Sequence, residues 1–198
     1  MKKVSITFVG LLLLLVSTGF TADTFVPDKA HSQVTFTTKH LVISKVSGRF
    51  KEFDATVVYD PNDISKSSLK GTIKTASITT DNDNRDTHLK SADFFDVQKY
   101  PEITFASKKI EKKGSEVWVT GDLTIRGVTK EISFPATIVG PIKDPRGNTK
   151  LGVEASLELN RQDFGVSWNS PLEGGGVVVS DEVVIKIDTE LAKQEAKK

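Results

Sequence analysis

The chain has 198 residues, with 27 lysines and arginines against 26 acidic side chains and no cysteine. That length suits one domain, or at most two small ones, and the near-neutral balance creates no global field for gathering nucleic acid or an anionic membrane. Without cysteine, the chain has no disulfides, thiol nucleophiles, cysteine-ligated metals or lipid-anchored cysteine.

The first residues have the layout of a secretory signal peptide. A positive "MKK" precedes the apolar run "VSITFVGLLLLLV", and the small residues of "STGFTA" follow. The apolar run is shorter than the roughly 20 residues a membrane span needs. Residues 1–22 are therefore read as a signal peptide, cut between Gly19 and Ala22 with Ala22 favoured. Removing Lys2 and Lys3 leaves 25 basic against 26 acidic side chains in an exported chain starting near Asp23.

Downstream, apolar residues alternate with polar ones. Period two marks strands with one buried and one wet face. Val34 and Phe36 open the series. "FDATVVYD" and "SLKGTIKTASITT" each slip once, which predicts a bulge in both. "NDNRDTHLKSADFFD" predicts the one short helix, capped near Asp83 or Asn84 and ending before "KYP", because Pro101 holds Tyr100 extended. Strands resume at Ile103 and Phe105. They continue through Val117, Val119, Leu123 and Ile125, and through Ile132, Phe134, Ala136 and Ile138. "LGVEASLEL" and "EVVIKIDTEL" alternate cleanly, and the tail "LAKQEAKK" is read as fraying. About eight strands result, with turns at "DPND", "EKKGSE", "IRGVTK" and "KDPRGN". Short connections make neighbours antiparallel, and such a set either closes into a barrel or stacks as a sandwich. Inward faces mixing Phe and Ile with Gly71, Gly121, Ala136 and Ala155 suit a tapered cavity or a filled core.

The segment "RDTHLKSADFFDVQKYPEITF" holds Asp86, His88, Ser91 and Asp93, a tempting hydrolase set. No serine sits in a G-x-S-x-G turn, however, and residues two apart do not share a helix face. The segment is read as a lid: a polar helix over one end of the strands, with Phe94 and Phe95 buried beneath it. His31 and His40 are an odd number of residues apart and face opposite ways on a regular strand, so no metal site is expected. "EGGGVVV" lacks the Lys-Ser/Thr ending of a phosphate loop and reads as a mouth loop. "KKIEKKG" reads as a solvated hairpin tip with no aromatic platform for nucleic acid.

Four stretches carry a resemblance: "DKAHSQVTFTTKHLVISKVSGRF", "SITTDNDNRDTHLKSADFFDVQKYPEITFASKKI", "GDLTIRGVTKEISF" and "LNRQDFGVSW". In this order they resemble the YceI-like family of periplasmic, polyisoprenoid-binding, lipocalin-like proteins, over essentially the whole chain after residue 22. The resemblance implies a single eight-stranded antiparallel lipocalin-like barrel with one short helix as lid. It implies a periplasmic protein, with no transmembrane segment after export, holding a polyisoprenoid or similar long-chain amphiphile in an apolar tunnel. An isoprenoid quinone, a prenyl phosphate or a fatty amide would qualify. It also implies a tendency to form homodimers and gives no catalytic residue and no cofactor. Carried over, the tunnel wall comprises Val34, Phe36, Phe50, Phe94, Phe95, Ile103, Phe105, Leu123 and Ile125. Alternation adds Val119, Val153, Leu157, Val183 and Ile185. Arg85, His88 and Arg161 are candidates for head-group contact at the mouth, although a buried Arg161 would also serve to tie down backbone or an acid such as Asp163. Two rivals stand beside a carrier. One is a periplasmic lipid-modifying enzyme using His40 or His88, and the other is a filled barrel acting in stress or interaction.

Overall fold

The structure, a computed structural model, describes residues 22–195. The expected signal peptide thus lies, apart from Ala22, outside the described residues. Ten strands form one antiparallel sheet: β1 (Asp23–His40), β2 (Ser44–Phe50), β3 (Phe53–Tyr59), β4 (Ser68–Lys74), β5 (Ile78–Thr79), β6 (Glu102–Lys113), β7 (Glu116–Ile125), β8 (Val128–Lys143), β9 (Thr149–Asn160) and β10 (Val179–Lys193). Pairing of β1 with β10, from Phe25↔Lys193 to His40↔Val179, closes the sheet on itself. Closure leaves no long edge to recruit another chain.

The ten strands make eight staves. β1 pairs through its start with β3 and through its second half with β2, so β2 and β3 are one stave broken at residues 51 and 52. β4 and β5 are likewise one stave, interrupted by a single-turn 3-10 helix at Thr75–Ser77. That turn accounts for the slip read in "SLKGTIKTASITT". The bulge expected in "FDATVVYD" is not there. β3 pairs with β4 in unbroken register, and Val58 is an apolar residue on the outer face. Register shifts fall instead in β1, β6 and β8, at Pro27/Ser32, Ser107/Lys109 and Val139/Ile142 among others.

The lid helix α1 (Asp83–Lys90) starts one residue earlier than expected. Asn82 is its cap, its side chain accepting from the Arg85 amide. The helix lacks an apolar stripe, because most of its residues are polar, so it docks through individual side chains. The C-terminal tail does not fray where expected: β10 runs to Lys193 and Leu191 is buried. Among the described residues no helix is long and apolar enough to cross a membrane.

Candidate ligand-binding cavity

Inward-pointing residues of all eight staves enclose one elongated cavity of about 300 Å³. It runs from Phe164 and Val179 at the lid end to Pro27, Ile64 and Leu191 at the other. This size is at the lower end of small-molecule sites, and the wall is almost wholly apolar. All fourteen residues expected in the wall stand in it: Val34, Phe36, Phe50, Phe94, Phe95, Ile103, Phe105, Val119, Leu123, Ile125, Val153, Leu157, Val183 and Ile185. Gly71, Ala136 and Ala155 supply the small positions. Gly121 does not line the cavity; a Cβ there would lie 2.7 Å from the Phe105 ring and 2.3 Å from the Ala106 carbonyl oxygen, so it lets that ring lie against the sheet.

Aromatic rings shape the lid end. Phe50 bridges Phe36 and Phe95, with centroids 5.8 Å and 6.1 Å away. Gly48 makes this packing feasible, since a Cβ would come within 2.4 Å of the Phe36 ring. Phe94 is buried and sits against both His88 (4.9 Å) and Trp168 (5.3 Å). The Arg126 guanidinium, in the β7–β8 turn, donates to the carbonyls of Phe94 and Ala92 and straps the segment after the helix to the barrel.

Asp86 holds the helix down. It is only 8 % exposed and accepts from the Thr79 hydroxyl (2.8 Å), the Thr80 hydroxyl (2.5 Å) and the Thr80 amide (2.7 Å). Burial pushes its pKa up, but the Thr80 and Thr79 hydrogen bonds outweigh that and hold it below the ordinary carboxylate value. His88 faces away from this anchor. Its Nε2 lies 2.9 Å from the Asp93 carboxylate, while the Ser91 hydroxyl donates to the His88 carbonyl. The four hydrolase-like residues therefore split into a buried anchor, Asp86, a surface pair, His88 and Asp93, and Ser91, whose hydroxyl is bonded to a carbonyl, with no nucleophile facing a base.

The three head-group candidates do not converge. Arg85 lies outside the cavity wall and donates to the Thr80 hydroxyl and carbonyl. His88 also lies outside the wall. Arg161 does reach the wall, but its five N–H donors are committed to the carbonyls of Ser180, Val166, Trp168 and Val179 and to the Asp181 carboxylate. Its acid is Asp181, not Asp163, which pairs with Lys130. Arg161 thus fixes the loop from Phe164 to Val178 across the barrel end. Periodicity could not reveal Phe164, Val166 or Trp168, because that loop has no repeating pattern and takes its path from one guanidinium.

One further sequence reading changes, at the β6–β7 hairpin. Lys113 in "KKIEKKG" lies over the Trp118 ring at 4.8 Å, so one aromatic is close by. His31 joins Asp28 and Glu190 in a group with ligand atoms within 4.8 Å of one another. The Lys150 ammonium occupies the centre of that group, 3.0 Å from Asp28 and 2.9 Å from Glu190. Hydrogen bonds from Lys150 and His31 hold the Asp28 pKa down to about 2. This is an ion-pair network built around a lysine.

The YceI-like domain family matches residues 25–191, nearly the whole described barrel. The chain belongs to the YceI-like family. UPF0312 protein SAS2572 of Staphylococcus aureus is 41% identical over 172 residues, covering 86% of this chain and 98% of its own. Among solved structures, Burkholderia cenocepacia BcnA superposes with a TM-score of 0.73 at 28% identity, covering 85% of this chain and 99% of its own. A polyisoprenoid-binding domain from Saccharophagus degradans shares the fold, with a TM-score of 0.63 at 13% identity over 87% of this chain and 99% of its own. The chain thus has the family's domain, and its closed barrel surrounds an apolar cavity.

Proposed function

We propose that this chain is an exported carrier that holds a polyisoprenoid, or a similar long-chain amphiphile, along the axis of its barrel. The observation that carries this reading is the apolar cavity running between the two barrel ends. A long hydrocarbon gains roughly 25 cal/mol for each Å² it buries, so shape alone supplies affinity and few polar contacts are needed. The polyisoprenoid-binding domain of Saccharophagus degradans has the same fold, which makes an isoprenoid the first ligand to test. The polar groups at the lid end serve the protein itself: Arg161 and Asp86 are saturated by internal partners. Selectivity would then rest on chain length and branching more than on the head group. A lipid-modifying enzyme would need a titratable group in the tunnel, and neither His40 nor His88 is in its wall.

Organic extraction of protein purified from its native export compartment, followed by mass spectrometry, tests the reading. A stoichiometric long-chain lipid is expected, bound to a protein whose mass begins near Asp23. An extract with no lipid above background, from a protein that also takes up no added prenyl chain, overturns it.

A further inference from the structure

The hairpin joining β1 to β2 lies at the lid end of the barrel, where the Leu41 amide donates to the Val178 carbonyl, and carries "LVI" at its tip. Leu41 and Val42 both have positive φ, 51° and 65°. Hairpin turns of this kind normally take Asn or Gly there, because side chains with bulk or β-branching are strained in that region. Val42 and Ile43 are 61 % and 86 % exposed. The chain therefore accepts backbone strain at Leu41 and Val42 and exposes apolar surface at Val42 and Ile43, a combination within one turn that points to function more than to packing. The neighbouring glycine-rich loop leaves the tip bare: Gly176 approaches Val42 and brings no side chain.

Lysines flank the tip in register. Lys39 pairs across the hairpin with Lys45, both are exposed, and neither joins an ion pair among the described residues. The one carboxylate in the facing loop is Glu173, which is exposed. The tip also adjoins the cavity. Thr38 and Val179 stand in the cavity wall, and Val179 is the register partner of His40, the residue before the tip.

We propose that this hairpin docks the protein on an anionic phospholipid bilayer, with Val42 and Ile43 entering the interface and Lys39 and Lys45 meeting the head groups. Apolar insertion and lysine attraction are the two components of interfacial binding, and the long lysine stems can lie beside the apolar tip while their charges reach lipid phosphates. This deepens the carrier reading and rests on it: a water-insoluble chain has to be collected from, and returned to, a membrane, and the tip would hold the cavity end against one.

The test is co-sedimentation with vesicles of equal parts phosphatidylglycerol and phosphatidylcholine, and with phosphatidylcholine alone. The unaltered protein should bind the anionic vesicles. Val42→Ser with Ile43→Ser should weaken that binding about tenfold, because it removes the inserted apolar surface. Lys39→Gln with Lys45→Gln should cost about tenfold on anionic vesicles and little on neutral ones. Val139→Ser with Ile142→Ser, which removes exposed apolar residues at the opposite end, should change nothing. Binding of a short fluorescent prenyl probe in vesicle-free buffer should be the same for all variants. If the unaltered protein ignores anionic vesicles, or if the tip variants bind them as well as it does, the docking proposal is wrong. A tip variant that only breaks a dimer on gel filtration shows that a second copy covers the tip instead. Loss of probe binding by the unaltered protein would sink the carrier reading separately, whatever the vesicles show.

Discussion

Asp86 shows how one side chain decides whether the barrel end is closed. Its carboxylate gathers three donors from Thr79 and Thr80, and Arg85 in turn donates to the Thr80 hydroxyl at 2.7 Å. In Asp86→Asn the amide nitrogen turns toward a donor that it cannot accept from. Leaving a buried polar group unpaired costs about 1–3 kcal/mol, so the variant should unfold at lower denaturant with an unchanged slope. The pH dependence has a fixed sign. A folded pKa below the ordinary 3.8 stabilises the protein above that value, and the contribution disappears as pH falls through the lower folded pKa. Acid denaturation below about pH 4 should accordingly be shallower in Asp86→Asn than in the unaltered protein. Equal acid limbs would show that the carboxylate does not anchor the lid. Nothing in the sequence singled out this role. The three donors come from Thr79, the last residue of β5, and Thr80 just after it, and "SITTDND" reads as strand followed by turn, whatever its hydroxyls bond to.

At the scale of the element, what the sequence revealed follows from geometry. A strand facing a core has an exact period of two, so β7, β9 and β10 were legible and their inner faces were named correctly. Breaks in staves were not, because a 3-10 turn such as Thr75–Ser77 and a bulge produce the same slip in alternation. The lid helix was legible through its polar run and through Pro101, but its seat was not, since tertiary partners fix it: Arg126, Trp168 and Asp86. Those partners rank two substitutions. His88→Ala loses edge contacts to Phe94 and Trp168 and a half-exposed bond to Asp93, worth about 1 kcal/mol. Phe95→Asp puts a carboxylate in the cavity wall beside Phe50, where the nearby guanidiniums of Arg161 and Arg126 are already committed to backbone carbonyls and Asp181, and should cost about 3 kcal/mol and abolish prenyl-probe binding. Thermal melts and probe titrations on both variants check the order. Loss of function in a fully stable His88→Ala would reverse it and return the segment to catalysis.

For the molecule as a whole, the decisive question is whether the barrel is full. Alternation could not answer it, because Ala136 and Ala155 fit a tapered tunnel and a tight core equally well. Burial separates the two. On β6 and β7 the inward Ile103, Ile110, Val119 and Leu123 are buried and Phe105 and Val117 partly so, whereas along the middle of β9 and β10, away from the buried Leu151 and Leu191, the inward Val153, Ala155, Leu157, Val183 and Ile185 are all only partly buried. Side chains that point inward yet keep accessible surface face empty volume, and their missing contacts are a standing loss of dispersion energy in the ligand-free protein. Ala155 lies between Ala136 on β8 and Ile187 on β10, at the middle of this thinly packed wall. Ala155→Phe should fill part of the void. It is expected to raise the stability of the ligand-free protein by about 1 kcal/mol, as cavity-filling changes do, and to cut affinity for a long prenyl chain by blocking the axis. A full core predicts the opposite sign, a loss of about 1–3 kcal/mol from overpacking. Melting the variant after delipidation, beside the unaltered protein treated the same way, reads that sign directly, and a destabilised Ala155→Phe that still binds the probe would rule out an axial tunnel at this position.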